Sequence, residues 1–221
     1  MVALVIQCLL PCEPSAEESG WRDRASGWFI AGYLGQLTDS TMPDIASLQV
    51  EFVPSYMGAL AIGKEIYRYK EALSVEVEGQ VAAYLSRYVF ECDTEDCLAF
   101  CPEDPPSATQ DHTEWNLFFT LRWLPFPWDR HLDTSVAVGE GLSYATRVPA
   151  VERDLHGEVV GLDSPTSKLL NYLMLEVAFG LPSHPRWDLN VRLHHRSGAF
   201  GLFNDVHGGS NTVCVGLRYK L

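Results

Sequence analysis

Three polar side chains near the C-terminus could do chemistry together: His195, Ser197 and Asn211. A serine hydroxyl is a poor nucleophile until a base takes its proton, and histidine is the side chain most often used for that task. Residues two apart on a strand point to one side, with Cβ atoms about 7 Å apart, so a rotamer of His195 can bring the imidazole to the Ser197 hydroxyl. Asn211 could orient that imidazole, as asparagine does in Cys-His-Asn hydrolases. Gly198 follows the serine, and its N–H could approach an oxyanion developing on an attacked carbonyl. Such a set would perform acyl transfer, with ester hydrolysis as the simplest case. A His and a Ser at this spacing are equally at home as solvated groups at a membrane headgroup boundary. The elements that carry them must therefore decide between the two readings.

Those elements lie in Trp187–Leu221, which reads as two alternating strands around a Gly/Asn-rich connection. Leu189, Val191 and Leu193 share one parity with His195 and Ser197, while Asp188, Asn190 and Arg192 share the other. On the second strand Val213, Val215, Leu217, Tyr219 and Leu221 form one face, and Asn211 continues it upstream. Side chains alternate faces with period two, so all three polar residues fall on the apolar face at one end of a hairpin. Similar alternation recurs over Trp28–Leu37, Tyr56–Tyr69 (with an entry from Leu48–Val53), Leu73–Leu85, Glu114–Leu124, Thr134–Tyr144 and Leu169–Leu181. The connections alternate too. Those after the second, fourth and sixth strands are short, and those after the first, third, fifth and seventh are long. That asymmetry predicts a transmembrane antiparallel β-barrel of about eight strands, with both termini on the periplasmic side and Ser197 at the external end. The expected organisation is a single all-β barrel domain over 21–221. Residues 1–20 precede it, read either as the remnant of a signal peptide or as a frayed terminus.

Other features bear on the same expectation. The formal net charge of −13 argues against nucleic acid as a partner, because phosphates would be repelled. There is no run of 18 apolar residues, so no transmembrane helix is expected. Glu76, Glu78, Arg122, Glu176 and Arg192 lie opposite the apolar face, where a small barrel would enclose and pair them. His194 joins that inward parity. Trp21, Trp28, Trp123, Trp128, Trp187 and Tyr219 sit near strand ends on the short-turn side or at the N-terminus, as interfacial aromatics do. Cys92, Cys97 and Cys101 occupy an acidic, Pro-rich stretch whose spacing favours a loop disulfide over a zinc site completed by His112. No metal and no cofactor are expected.

The terminal strand resembles the C-terminal signature of bacterial outer-membrane barrels at Gly216, Tyr219 and Leu221, with Leu221 where a Phe is usual. Beyond this, His195-Arg196-Ser197-Gly198 resembles the His-x-Ser motif of the lipid A deacylase (PagL-type) family. The resemblance is closer still to relatives ending in HHRSG…GGSN. It implies an outer-membrane esterase that removes an ester-linked acyl chain from lipid A with outward-facing residues, so lipopolysaccharide and the bacterial outer membrane are the expected partners. Ser197 would be the nucleophile, His195 the base and Gly198 an oxyanion donor. The family's third residue is a Glu early in the last strand. Asn211 stands there and lacks the charge, with Asp205 and Glu140 as weaker candidates for an acid. The alternative is a non-catalytic structural or adhesive barrel working through its acidic connections, Ser86–Thr113 and Ala145–Lys168.

Overall fold

In a computed structural model, described over residues 27–86, 111–149, 152, 167–207 and 209–221, the chain forms a closed antiparallel barrel of eight strands. The strands are β1 (Trp28–Thr38), β2 (Phe52–Tyr69), β3 (Leu73–Ser86), β4 (His112–Trp123), β5 (Asp133–Ala145), β6 (Leu169–Gly180), β7 (Trp187–Ser197) and β8 (Gly209–Lys220). Each pairs with its neighbours in sequence, and β1 closes the barrel on β8, from Phe29 opposite Lys220 to Thr38 opposite Asn211. Closure leaves no strand edge, which is the condition for crossing lipid with a sheet. One five-residue helix, α1 (Met42–Ala46), lies in the connection between β1 and β2.

Period-two alternation builds the wall, with the faces inverted relative to a soluble barrel. Ile30, Leu34, Leu60, Ile62, Leu117, Phe119, Leu175, Leu189, Val191, Val215 and Leu217 are exposed on the outside. Arg192 and Arg196 head the largest fully buried side chains. An apolar outside and a charged inside fit lipid around the barrel. Strands of 11 to 18 residues are long enough to span it when tilted.

The interior charges are paired. Arg122 donates to Glu76 at 3.2 Å and to Glu176 at 2.8 Å. Arg192 donates to Glu176 and Glu78, each at 2.7 Å, and stacks over Tyr33 at 4.1 Å. Arg218 donates to Glu76 at 2.6 Å. Nearer the site end, Glu114 lies between His194 Nε2 at 2.8 Å and His112 Nε2 at 3.1 Å. Buried charges are tolerated where partners satisfy them, and this network fills the lumen. The expected interior residues are thus where alternation puts them. Arg218 and Glu114 complete the network.

Two details depart from the sequence reading. β2 is continuous from Phe52 and passes through Pro54, which faces no partner on either neighbouring strand, so its missing N–H costs no ladder bond. His112, weighed as a zinc ligand, points inward at Glu114 and stacks on Tyr84 with ring centroids 4.5 Å apart. Trp28, Trp123, Trp128 and Trp187 are exposed at the short-turn end, and Trp187 packs against Tyr219. Residues 1–20, Trp21, Cys92, Cys97 and Cys101 lie outside the described residues, as do most of the two acidic connections.

Candidate functional site

The site is built by β7 and β8, whose register runs unbroken from Trp187 opposite Tyr219 to Ser197 opposite Gly209. Alternation turns Leu193, His195 and Ser197 outward and His194 and Arg196 inward. His195 stands directly opposite Asn211, and Nδ1 of the imidazole lies 2.7 Å from Asn211 Oδ1. The other end of that amide is also held. Asn211 Nδ2 donates to the Ser40 carbonyl at 2.9 Å.

This second bond fixes the proton on the histidine. A backbone carbonyl only accepts, so the amide nitrogen must face Ser40 and the amide oxygen must face His195. Oδ1 also only accepts, so Nδ1 carries the hydrogen. The imidazole also meets the Ser210 backbone. In the neutral ring with its hydrogen on Nδ1, Nε2 holds the lone pair. Nε2 is the atom that could take a proton from Ser197. The hydroxyl is half-buried on the same face, and no hydrogen bond joins it to His195 in this state.

Ser40 is the residue that sequence reasoning missed. A backbone carbonyl has no residue signature, and the β1–β2 connection shows only a short helix start at Thr41-Met42-Pro43-Asp44. The connection is pinned close to the wall. Ser40 N–H donates to Thr38 Oγ1 at 2.9 Å, Glu51 N–H donates to Ser40 Oγ at 2.7 Å, and Asp39 N–H donates to the Glu51 carbonyl at 3.0 Å. Asn211 is buried although its strand parity is outward.

Glycines shape the rest. A Cβ at Gly209 would lie 3.0 Å from Ser197 Cβ and 2.4 Å from the Arg196 carbonyl, so this glycine keeps the flank of the serine open. A Cβ at Gly198 would lie 1.8 Å from the Val206 carbonyl. The folded-back connection requires a glycine there whatever its N–H does. That connection is tight. Phe203 N–H donates to the Gly198 carbonyl, and Ala199, Phe200, Asn204 and Asp205 all have left-handed φ.

The two candidate acids are not on the imidazole. Asp205 is exposed in the connection and lies 3.4 Å from His207. Glu140 does face outward, by plain alternation rather than through a bulge, since the register of β5 is unbroken on both sides. It shares a ladder row with Leu173, His195 and Asn211. Asn171, also outward and unremarked in the sequence, stands directly opposite Ser197 on β6. Polar side chains on the outer wall thus gather on neighbouring strands as Glu140, Asn171, His195, Ser197 and Asn211. The outward positions of β3, by contrast, are Leu73, Val75, Val77, Gly79, Val81, Ala83 and Leu85. Among the described residues, no group of three or more metal-ligating side chains converges.

The fold is that of the eight-stranded outer-membrane barrels. The outer membrane enzyme PagL superposes with a TM-score of 0.51 at 10% identity, over 87% of this chain and 99% of that one. Neisserial surface protein A gives 0.47 at 15% identity, over 90% and 100%. The attachment invasion locus protein Ail of Yersinia pestis, solved with the heparin analogue sucrose octasulfate, gives 0.36 at 9% identity, over 89% and 99%. No family model and no curated protein matches the sequence.

Proposed function

We propose that this outer-membrane barrel is a serine esterase that removes an ester-linked acyl chain from lipid A at its lipid-facing surface. The single observation behind the reading is the Ser40–Asn211–His195 relay on the outer wall, which leaves Nε2 basic on the same face as a hydroxyl. Ser197 Oγ attacks the ester carbonyl while Nε2 takes its proton. The oxyanion that forms accepts a hydrogen bond from the Gly198 N–H. The imidazolium then returns the proton to the departing sugar oxygen, leaving an acyl-serine. Water, deprotonated in turn by Nε2, releases the fatty acid and restores the hydroxyl. Asn211 holds the tautomer throughout but supplies no charge to the imidazolium.

The rival is a non-catalytic structural or adhesive barrel. Two observations favour it: the orienting group is neutral, and Ser197 is not hydrogen-bonded to His195. Mass spectrometry of lipid A separates the readings. Cells expressing the wild type should lose one ester-linked acyl chain, and cells expressing Ser197→Ala should match cells without the protein. If wild-type lipid A is unmodified, the esterase reading fails.

A further inference from the structure

We infer that Glu152 is a positioning residue that holds the outer-wall site in register from inside the barrel. Its role in turnover rests on the esterase reading; its structural role does not. Glu152 belongs to the long connection between β5 and β6, far from the site in sequence. Its own N–H is fixed to the Pro149 carbonyl at 3.1 Å, and its carboxylate is buried in the barrel mouth.

Arg196 is the inward residue between His195 and Ser197, and it is fully buried. Ser210 is the inward residue between Gly209 and Asn211. These two residues are register partners across β7 and β8. Glu152 grips both. It accepts from Arg196 Nη1 at 2.6 Å through Oε1, and the same oxygen accepts from Ser210 Oγ at 3.0 Å. Arg196 is further fixed by Ser143 Oγ at 3.1 Å and by the Lys168 carbonyl at 2.5 Å.

The geometry follows from strand alternation. One carboxylate clamps, from within, the two peptide segments whose outward side chains are His195 and Ser197 on one strand and Asn211 on the other. A charge-assisted, shared acceptor of this kind is short and directional. Without it, Arg196 would be a buried cation lacking its carboxylate, and the end of the hairpin would be free to shift. A small displacement across the His195–Asn211 pair is enough to mix the imidazole tautomers and misplace Nε2 against Ser197.

The test uses the full chain folded in detergent micelles, with Glu152→Ala and Glu152→Gln, and Ser210→Ala as a milder variant should the first not fold. The direct readout is the ¹⁵N imidazole spectrum of His195, assigned by its loss in His195→Asn. The wild type should show the Nδ1–H tautomer. Glu152→Ala, and to a lesser extent Ser210→Ala, should shift it toward a tautomeric average, and Glu152→Gln should recover part of the signal by accepting from Ser210. Hydrolysis by Glu152→Ala should fall about tenfold to a hundredfold in kcat with KM unchanged. An unchanged His195 spectrum in folded Glu152→Ala, or in Ser210→Ala if the first does not fold, overturns the inference. If the wild type hydrolyses nothing, the esterase reading fails, while the spectrum still decides the role of Glu152.

Discussion

At the residue scale, the tautomer of His195 rests on Asn211. Its amide orientation follows because the Ser40 carbonyl facing it can only accept, and that one contact gives His195 its tautomer. Asn211→Ala removes the orienting acceptor without adding charge, so kcat should drop about a hundredfold with KM unchanged, measured on a lipid A ester in micelles. A loss confined to KM would assign Asn211 to substrate binding instead. The pairing of His195 with Asn211 was legible in the sequence, because parity places both on one face and only the register remained to be found. The Ser40 carbonyl was not legible, since any residue could supply it. Asn171 was legible in principle. Its parity on the Leu169–Leu181 strand is apolar apart from itself, which is the same signal that singled out His195.

At the element scale, the β1–β2 connection matters more than its length suggests. α1 starts with Thr41 and Asp44, and the Asp44 carboxylate accepts from both the Thr41 hydroxyl at 2.6 Å and the Thr41 N–H at 3.1 Å. These bonds, the hydroxyl first, hold the Asp44 carboxyl below its ordinary value. A carboxyl depressed on folding adds stability above its unfolded pKa and loses it as pH falls through the folded one. The start of α1 should therefore stay capped above about pH 4 and loosen only in stronger acid. Following the Thr41 amide resonance against pH should give a midpoint below about 3.9. A midpoint at or above that value would mean that Asp44 does not hold this turn. The strands themselves were readable because alternation is strong, and the short and long connections fixed their pairing. The five-residue helix was not, since a single turn has no period to detect.

At the scale of the whole molecule, the barrel has a polar inside and an apolar outside. Arg192→Ala strands Glu78 inside the lumen and leaves Glu176 with Arg122, and it should cost about 3–5 kcal/mol, read from the urea midpoint of the protein folded in vesicles. Leu175→Arg on the outer wall should cost about 2–4 kcal/mol in the same assay. Equal and negligible effects at both positions would contradict a lipid-embedded wall. The inversion was legible because Glu76, Glu78, Arg122, Glu176 and Arg192 share the parity opposite the apolar residues. The Glu152 clamp was not, because a long connection carries no period that says where it returns. The polar group around Ser197 lies at the end of the barrel that carries the long connections, and on the esterase reading its hydroxyl is an activated nucleophile. The most direct test is intact-mass analysis of the folded protein after exposure to a lipophilic fluorophosphonate. One covalent adduct on the peptide containing Ser197, absent in Ser197→Ala and strongly slowed in His195→Asn, is the predicted result. A wild-type protein that remains unlabelled, or is labelled at another residue, would contradict it.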